Sequence, residues 1–252
     1  MKKSLILCTI LFIIISLCSC SASTQPQNET EQENISFSGT ADEAEIRADD
    51  GTLVYKASVV YPEITINDNT ASQKKINAYF EQEINKILSP EKDYTAEYES
   101  YKADGLDYFS NAEISVAITD LYTDGRIVSF QVDTYIHEAC AISGYEYKSG
   151  LCFSKESGEK LELDDLTNDS AELNAKLVQT VTESLAQMEK DGKIADVSTD
   201  DALNSIISRE VFWTLDGEIL TAIFPTGSIA PNYLGSIEIP VKLEDLGGII
   251  II

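Results

Sequence analysis

The chain has 252 residues, with 43 acidic against 18 basic side chains, a formal charge of −25 and a single histidine. So large an excess of carboxylates repels nucleic acid and anionic lipid, and it steers cationic partners towards the surface. The same acidity keeps an exposed protein soluble, so by itself it names no ligand.

The first residues have the parts of a bacterial export signal. Lys2 and Lys3 form a short basic region, and Leu5 to Leu17 is an almost unbroken apolar run without charge. That run is shorter than the ~20 residues needed to cross a bilayer core, so cleavage is expected rather than retention. Leu17-Cys18-Ser19-Cys20 at its end resembles the bacterial lipobox, although Cys18 is unusual there. The expectation is a signal peptide over residues 1–19 and a lipid on Cys20, holding the protein to the extracytoplasmic face of the cell membrane. Each buried methylene of such an anchor contributes about 0.8 kcal/mol, which makes two acyl chains far more secure than one. Loss of Lys2 and Lys3 with the signal moves the formal charge from −25 to −27.

Residues 20–52 are mostly Ser, Thr, Gln, Asn, Glu and Asp, with Ile35, Phe37 and Ile46 as scattered candidates for burial. Too little apolar area is present to offset chain entropy, so the stretch reads as a flexible acidic tether. Beyond it, Leu53 to Ile66 predicts a strand interrupted at Pro62. Thr70-Ala71-Ser72-Gln73 has the form of a capping box, and Ile76, Tyr79, Phe80, Ile84, Ile87 and Leu88 recur at helical spacing until Ser89-Pro90. Glu91 to Lys102 continues as a second helical piece or an ordered loop. Strands are predicted at Glu113 to Tyr122 and Arg126 to His137, joined through Asp124-Gly125, a hairpin signal. Tyr147 to Ser154 and Lys160 to Leu163 follow as strands. A long helix runs from Ser170 to Lys190 with the stripe Leu173, Leu177, Val181, Leu185 and Met188, and a short one from Thr199 to Ser208. Closing strands fall at Val211 to Leu215, Ile219 to Phe224 and Ser236 to Val241. Strands and helices come in clusters, which predicts an α+β fold with a largely antiparallel sheet packed against two main helices. The expected division is an N-terminal subdomain over 53–140 and a C-terminal one over 141–252.

Of five cysteines, Cys8 and Cys18 leave with the signal and Cys20 carries the lipid. Cys140 and Cys152 remain, and in an oxidising compartment such a pair is read as a disulfide across the connection around Gly144. Every scheme that needs a histidine base depends on His137. On a strand it would face away from Cys140, so a Cys–His pair is geometrically poor, and His137 reads as a polar residue at a strand end. Metal-ligand spacings and phosphate-binding loops are absent from the sequence. The doublets Asp49-Asp50, Asp164-Asp165 and Asp200-Asp201 read as solvated turns or helix starts. No residue is nominated as catalytic, metal-binding or cofactor-binding, and the protein is expected not to be an enzyme.

Three stretches together resemble a known extracellular family. They are Tyr55 to Leu88, with Tyr61-Pro62-Glu63-Ile64, Ile76-Asn77 and Ile84-Asn85; Tyr135 to Leu166, with Ser157-Gly158-Glu159-Lys160-Leu161; and Ala222 to Val241, with Ile229-Ala230-Pro231-Asn232-Tyr233-Leu234-Gly235. The combination is similar to the paired domains of unknown function in RsiV-like, lysozyme-sensing anti-sigma factors and in modules preceding peptidoglycan deacetylases. It departs from them at Glu138-Ala139-Cys140-Ala141, where relatives often carry a Gly-Gly-Ala-His-like loop, and in having only Met1-Lys2-Lys3 before the apolar run. Pro231 and Gly235 are expected to shape a turn, with Tyr233 filling the core beneath it.

The resemblance implies a binding or sensing module of the cell envelope. Its partners would be the membrane, through lipid, and a cationic protein such as lysozyme or wall peptidoglycan, with no nucleic acid. Alternatives are a wall-active hydrolase, motivated by location, and a structural subunit of an envelope complex. The apolar end Ile249-Ile250-Ile251-Ile252 is expected to pair at a sheet edge.

Overall fold

In the computed structural model Leu53–Ile66 forms one strand, β2, that runs through Pro62 without a break. Pro62 is tolerated because β2 pairs with its parallel neighbour β3 (Ala112–Thr123) only from Tyr55 to Val60. Beyond that point no ladder donor is needed on that edge. Helix α1, Thr70–Leu88, supplies partners there instead. The Asn77 side chain accepts from Ile64 N and donates to Ile64 O at 3.0 and 2.9 Å, and Gln73 accepts from Ile66 N at 3.0 Å. Gln73 therefore does not close a capping box, and the N-cap is Asn69, which accepts from Ser72 N.

The structure describes residues 35–250 except 106, 107, 124 and 125. The signal peptide, Cys20, the start of the tether, Asp124-Gly125 and Ile251–Ile252 lie outside the described residues. The tether expectation is corrected at its far end, because Ile35–Arg47 is strand β1, paired along its length with β2. Its polar composition hid it. An edge strand is held mainly by backbone hydrogen bonds, and among its described side chains Ile35, Ala44 and Ile46 join the apolar clusters beneath.

β1 and β2 are followed by α1, by α2 (Tyr94–Ala103) and by β3 (Ala112–Thr123). Then come β4 (Ile127–His137), β5 (Tyr145–Ser154) and the short β6 (Lys160–Leu161). These six strands form one sheet in chain order. It is mixed rather than antiparallel throughout, since β2 and β3 are parallel and need the crossover that α1 and α2 provide. The expected boundary at residue 140 falls inside this sheet, between the paired strands β4 and β5.

The α1 stripe Ile76, Phe80 and Ile84 buries against one sheet face, on Val59, Val116, Ile118, Val128, Phe130 and Phe153. Phe80, Phe130 and Phe153 meet edge to face with centroids 5.2 to 6.1 Å apart, the arrangement that aromatic quadrupoles favour. A second core lies around helix α3 (Ser170–Lys190), helix α4 (Thr199–Ser208) and a three-stranded antiparallel sheet. The strands of this sheet are β7 (Phe212–Asp216), β8 (Ile219–Phe224) and β9 (Ile237–Lys242). Among the described residues there are thus four α-helices, two long and two short. Ile127 of β4 joins this second core while Val128 and Phe130 join the first, so the start of β4 is buried on both faces. At the far end Ile250 makes only an isolated bridge with Thr167.

The two sheets meet where β7 crosses β5. A Cβ at Gly150 would overlap the Trp213 carbonyl oxygen and the Thr214 side chain, so glycine is required for this approach. Ser129, buried below, accepts from Leu215 N at 3.3 Å. Arg209, the left-handed C-cap of α4, pairs with Asp164 and donates to Asn174 Oδ1 at 2.6 Å, tying both helices to the turn after β6. Asp164 and Asp165 stand in the first turn of the 3-10 helix Leu163–Leu166, as expected of a helix start, and the Arg209 hydrogen bond in addition holds the Asp164 carboxyl below the usual range. Asp200 and Asp201 do begin α4, as expected.

The disulfide expectation is corrected by strand register. Cys152 faces Ser129, whereas the hairpin end next to Cys140 pairs Ile136 with Tyr145. Seven residues of strand, roughly 24 Å, separate those two levels. A bridge needs Cα atoms within about 7 Å, and neither cysteine is disulfide-bonded.

Two predictions follow from these contacts. Gly150→Ala is expected to destabilise the fold by about 3 kcal/mol through overpacking, read as a lowered melting temperature and altered emission of Trp213, the chain's one tryptophan. Asp50, in the β1–β2 turn, accepts from Thr52 N, Tyr98 Oη and Lys102 Nζ at 3.0, 2.8 and 3.1 Å. These bonds, led by Thr52, hold its carboxyl well below the usual carboxylate range. A depressed pKa stabilises the fold above the unfolded value near 4 and loses that effect as pH falls below it. The stability gap between the parent and Asp50→Asn is therefore expected to be widest at neutral pH and to narrow on acidification, followed by thermal melts across pH.

Candidate functional site

Alternation along β3, β4 and β5 gives each strand a second face, opposite to α1. Register places Ser115, Tyr135 and Glu146 in one cross-strand row there, and Ala117, Asp133 and Lys148 in the next. The row continues into β2, where Ser58 donates to Ser115 Oγ at 3.0 Å. The second core covers this face only at its Ile127 and Cys152 end. The other end is polar and open.

The segment between β8 and β9, residues 225–236, stands over the open end as a wall. Thr226 Oγ1 donates to Glu146 O at 2.6 Å, Lys148 N donates to Ser236 Oγ at 3.4 Å, and Lys148 Nζ pairs with Glu238 at 2.8 Å. Within the wall Pro231 precedes a single 3-10 turn, Asn232–Leu234, ended by Gly235 at φ 70°. The expected turn is thus present. Tyr233, expected in the core, is instead 75% exposed at the rim.

Between sheet and wall lies a groove of two joined hollows, about 520 and 750 Å³, which share Tyr135, Glu146 and Gly235. The first is lined also by Ser115, Asp133, Tyr147, Lys148 and Leu234, the second by Ser143, Tyr145, Thr226, Asn232 and Tyr233. Both volumes fall in the range of small-ligand sites, ~300–1,000 Å³. The Tyr135 ring lies where a Cβ on Gly144 would be, so that glycine is what admits the ring. Tyr145, Tyr147 and Phe212 form a near-parallel stack, with centroids 6.4 and 6.5 Å apart.

His137 ends β4 opposite Glu113, with Nδ1 3.3 Å from Asn111 O, and does not line the groove. Cys140, in the loop that follows, holds a left-handed backbone at φ 60° and donates its N–H to Ser110. The sequence brought neither Tyr135 nor Glu146 forward as a site residue. The signal available was the alternation of polar residues along β4 and β5. It became meaningful only once register showed that no helix covers that face. Among the described residues no group of three or more His, Cys, Asp or Glu side chains is placed to hold a metal ion, and no helix is long and apolar enough to cross a membrane.

Residues 49–138 match the family described as Deacetylase PdaC, a segment that runs from the turn before β2 to the end of β4. No curated protein matches the chain. Among solved structures it resembles a DUF3298 family member from Bacteroides fragilis, with a TM-score of 0.59 and 10% identity over 88% of this chain and 96% of that one. A DUF3298 family protein from Pseudomonas aeruginosa is similar at a TM-score of 0.52 and 13% identity, covering 86% and 94% of the two chains. At such identities the likeness is one of fold. The chain thus combines a PdaC-type segment with a DUF3298-like fold.

Proposed function

We propose that the protein is a binding module of the bacterial cell envelope, held by lipid on Cys20 at the extracytoplasmic face of the membrane, whose groove takes wall glycan. The groove beside Tyr135 and Glu146 is the observation that carries this reading. Sugar rings present an apolar C–H face and a rim of hydroxyls, and tyrosine rings alternating with carboxylates and serine hydroxyls match both. The leader, the match to a family named for a deacetylase and the resemblance to RsiV-like modules all support an envelope setting.

A second reading, capture of a cationic protein such as lysozyme, is supported by the excess of carboxylates that gives the chain its charge. Its mark is binding that weakens steeply with salt.

Co-sedimentation of the leaderless protein with purified peptidoglycan tests the first reading. Binding is expected, and Tyr233→Ala should weaken it about tenfold, roughly 1.4 kcal/mol, without lowering the melting temperature, because the ring is exposed. Absence of binding, or equal binding by the variant, contradicts the reading. Salt-sensitive capture of lysozyme in its place would favour the second.

A further inference from the structure

We propose that the groove selects a cationic glycan, an oligomer of amino sugars bearing free amines. The inference rests on the reading of the groove as a glycan site and specifies which glycan it takes. Its basis is how charge is distributed among the lining residues. Lys148 is the one cation lining the two hollows, and its Nζ is held by Glu238 at 2.8 Å, so the pair is neutral. Asp133 and Glu146 remain, on neighbouring rows of the same sheet face. Asp133 accepts the neutral amide of Gln131, at 3.0 Å to each oxygen, and faces Lys148 across its row, so one cation serves both Glu238 and Asp133, while the Glu146 carboxylate is exposed with no ion pair among the described residues. The floor of the groove therefore carries net negative charge beside aromatic walls.

Such a floor discriminates among wall sugars. A sugar ring laid on Tyr135 or Tyr233 can turn an ammonium group to Asp133 or Glu146, forming a charge-assisted hydrogen bond. The electron-rich ring faces attract the same cation. An N-acetylated sugar keeps the stacking but adds no cation to the carboxylates. A sugar bearing carboxylate or phosphate meets like charge, which excludes it as effectively as a missing contact. The charge of the whole chain steers in the same direction.

The probes are a β-1,4-linked glucosamine hexamer and its fully N-acetylated counterpart, titrated calorimetrically into the leaderless protein at mildly acidic pH, where the amines of the hexamer are charged. The glucosamine hexamer is expected to bind at least about tenfold tighter. In the Asp133→Asn, Glu146→Gln double variant that preference should vanish while the affinity for the acetylated hexamer persists. Unchanged Trp213 emission establishes that the variant is folded. Equal affinities, or a preference for the acetylated hexamer, overturn the selectivity and leave the groove as a glycan site. Binding of neither hexamer overturns both readings. A preference that survives the double variant shows attraction to the acidic surface at large and overturns the assignment to the groove. Capture of lysozyme abolished by the double variant, with no hexamer bound, would make the groove a protein site and likewise overturn the proposal.

Discussion

The parallel pairing of β2 with β3 is the constraint on which the rest of the architecture depends. Parallel neighbours cannot be joined by a tight turn, so the chain must leave the sheet and return. The crossover consists of α1 and α2. Once Ile76, Phe80 and Ile84 are buried on one face, that face is closed, and the polar alternates of β3, β4 and β5 are left on the other. An open polar sheet face is a stable outcome because its strands are antiparallel beyond β3, and such sheets tolerate water on one side.

What turns that face into a groove is the second sheet, which approaches closely at one place. Gly150 lets the backbone of β7 come against β5, and the second core seals the Ile127 and Cys152 end of the face. From there the β8–β9 segment is carried over the open end, and its bonds to Glu146 and Lys148 fix the width of the opening. Gly144 admits the Tyr135 ring at the floor. Two residues without side chains thus set both the depth of the groove and the position of its central aromatic.

Much of the fold was legible in residue order. The stripe from Leu173 to Leu185 marks α3, and Ser170 to Lys190 bounds it, because helical periodicity over five turns is a strong local signal. Short-range turn chemistry likewise marked Pro231 and Gly235. Features set by distant pairing were hidden. β1 carries too few apolar residues to announce itself and exists because β2 offers an edge. The Cys140–Cys152 pairing looked reasonable from spacing, but the register of β4 on β5 places the two at opposite ends of a hairpin. Tyr233 reads as a core residue in a run of Ile229, Ala230 and Leu234, yet the 3-10 turn directs it outward. The groove belongs to this hidden class, since its residues come from four strands and two loops that only tertiary structure assembles.

On the proposed function, ligand enters between the uncovered sheet face and the β8–β9 segment, not over the helices. Amide hydrogen exchange of the leaderless protein, with and without soluble peptidoglycan fragments, tests this directly. Slowed exchange at residues 143–148 and 226–236, with α1 and α3 unchanged, is the result the account predicts. Protection over α1 or the β1 edge, or no protection anywhere in the presence of bound fragments, would contradict it.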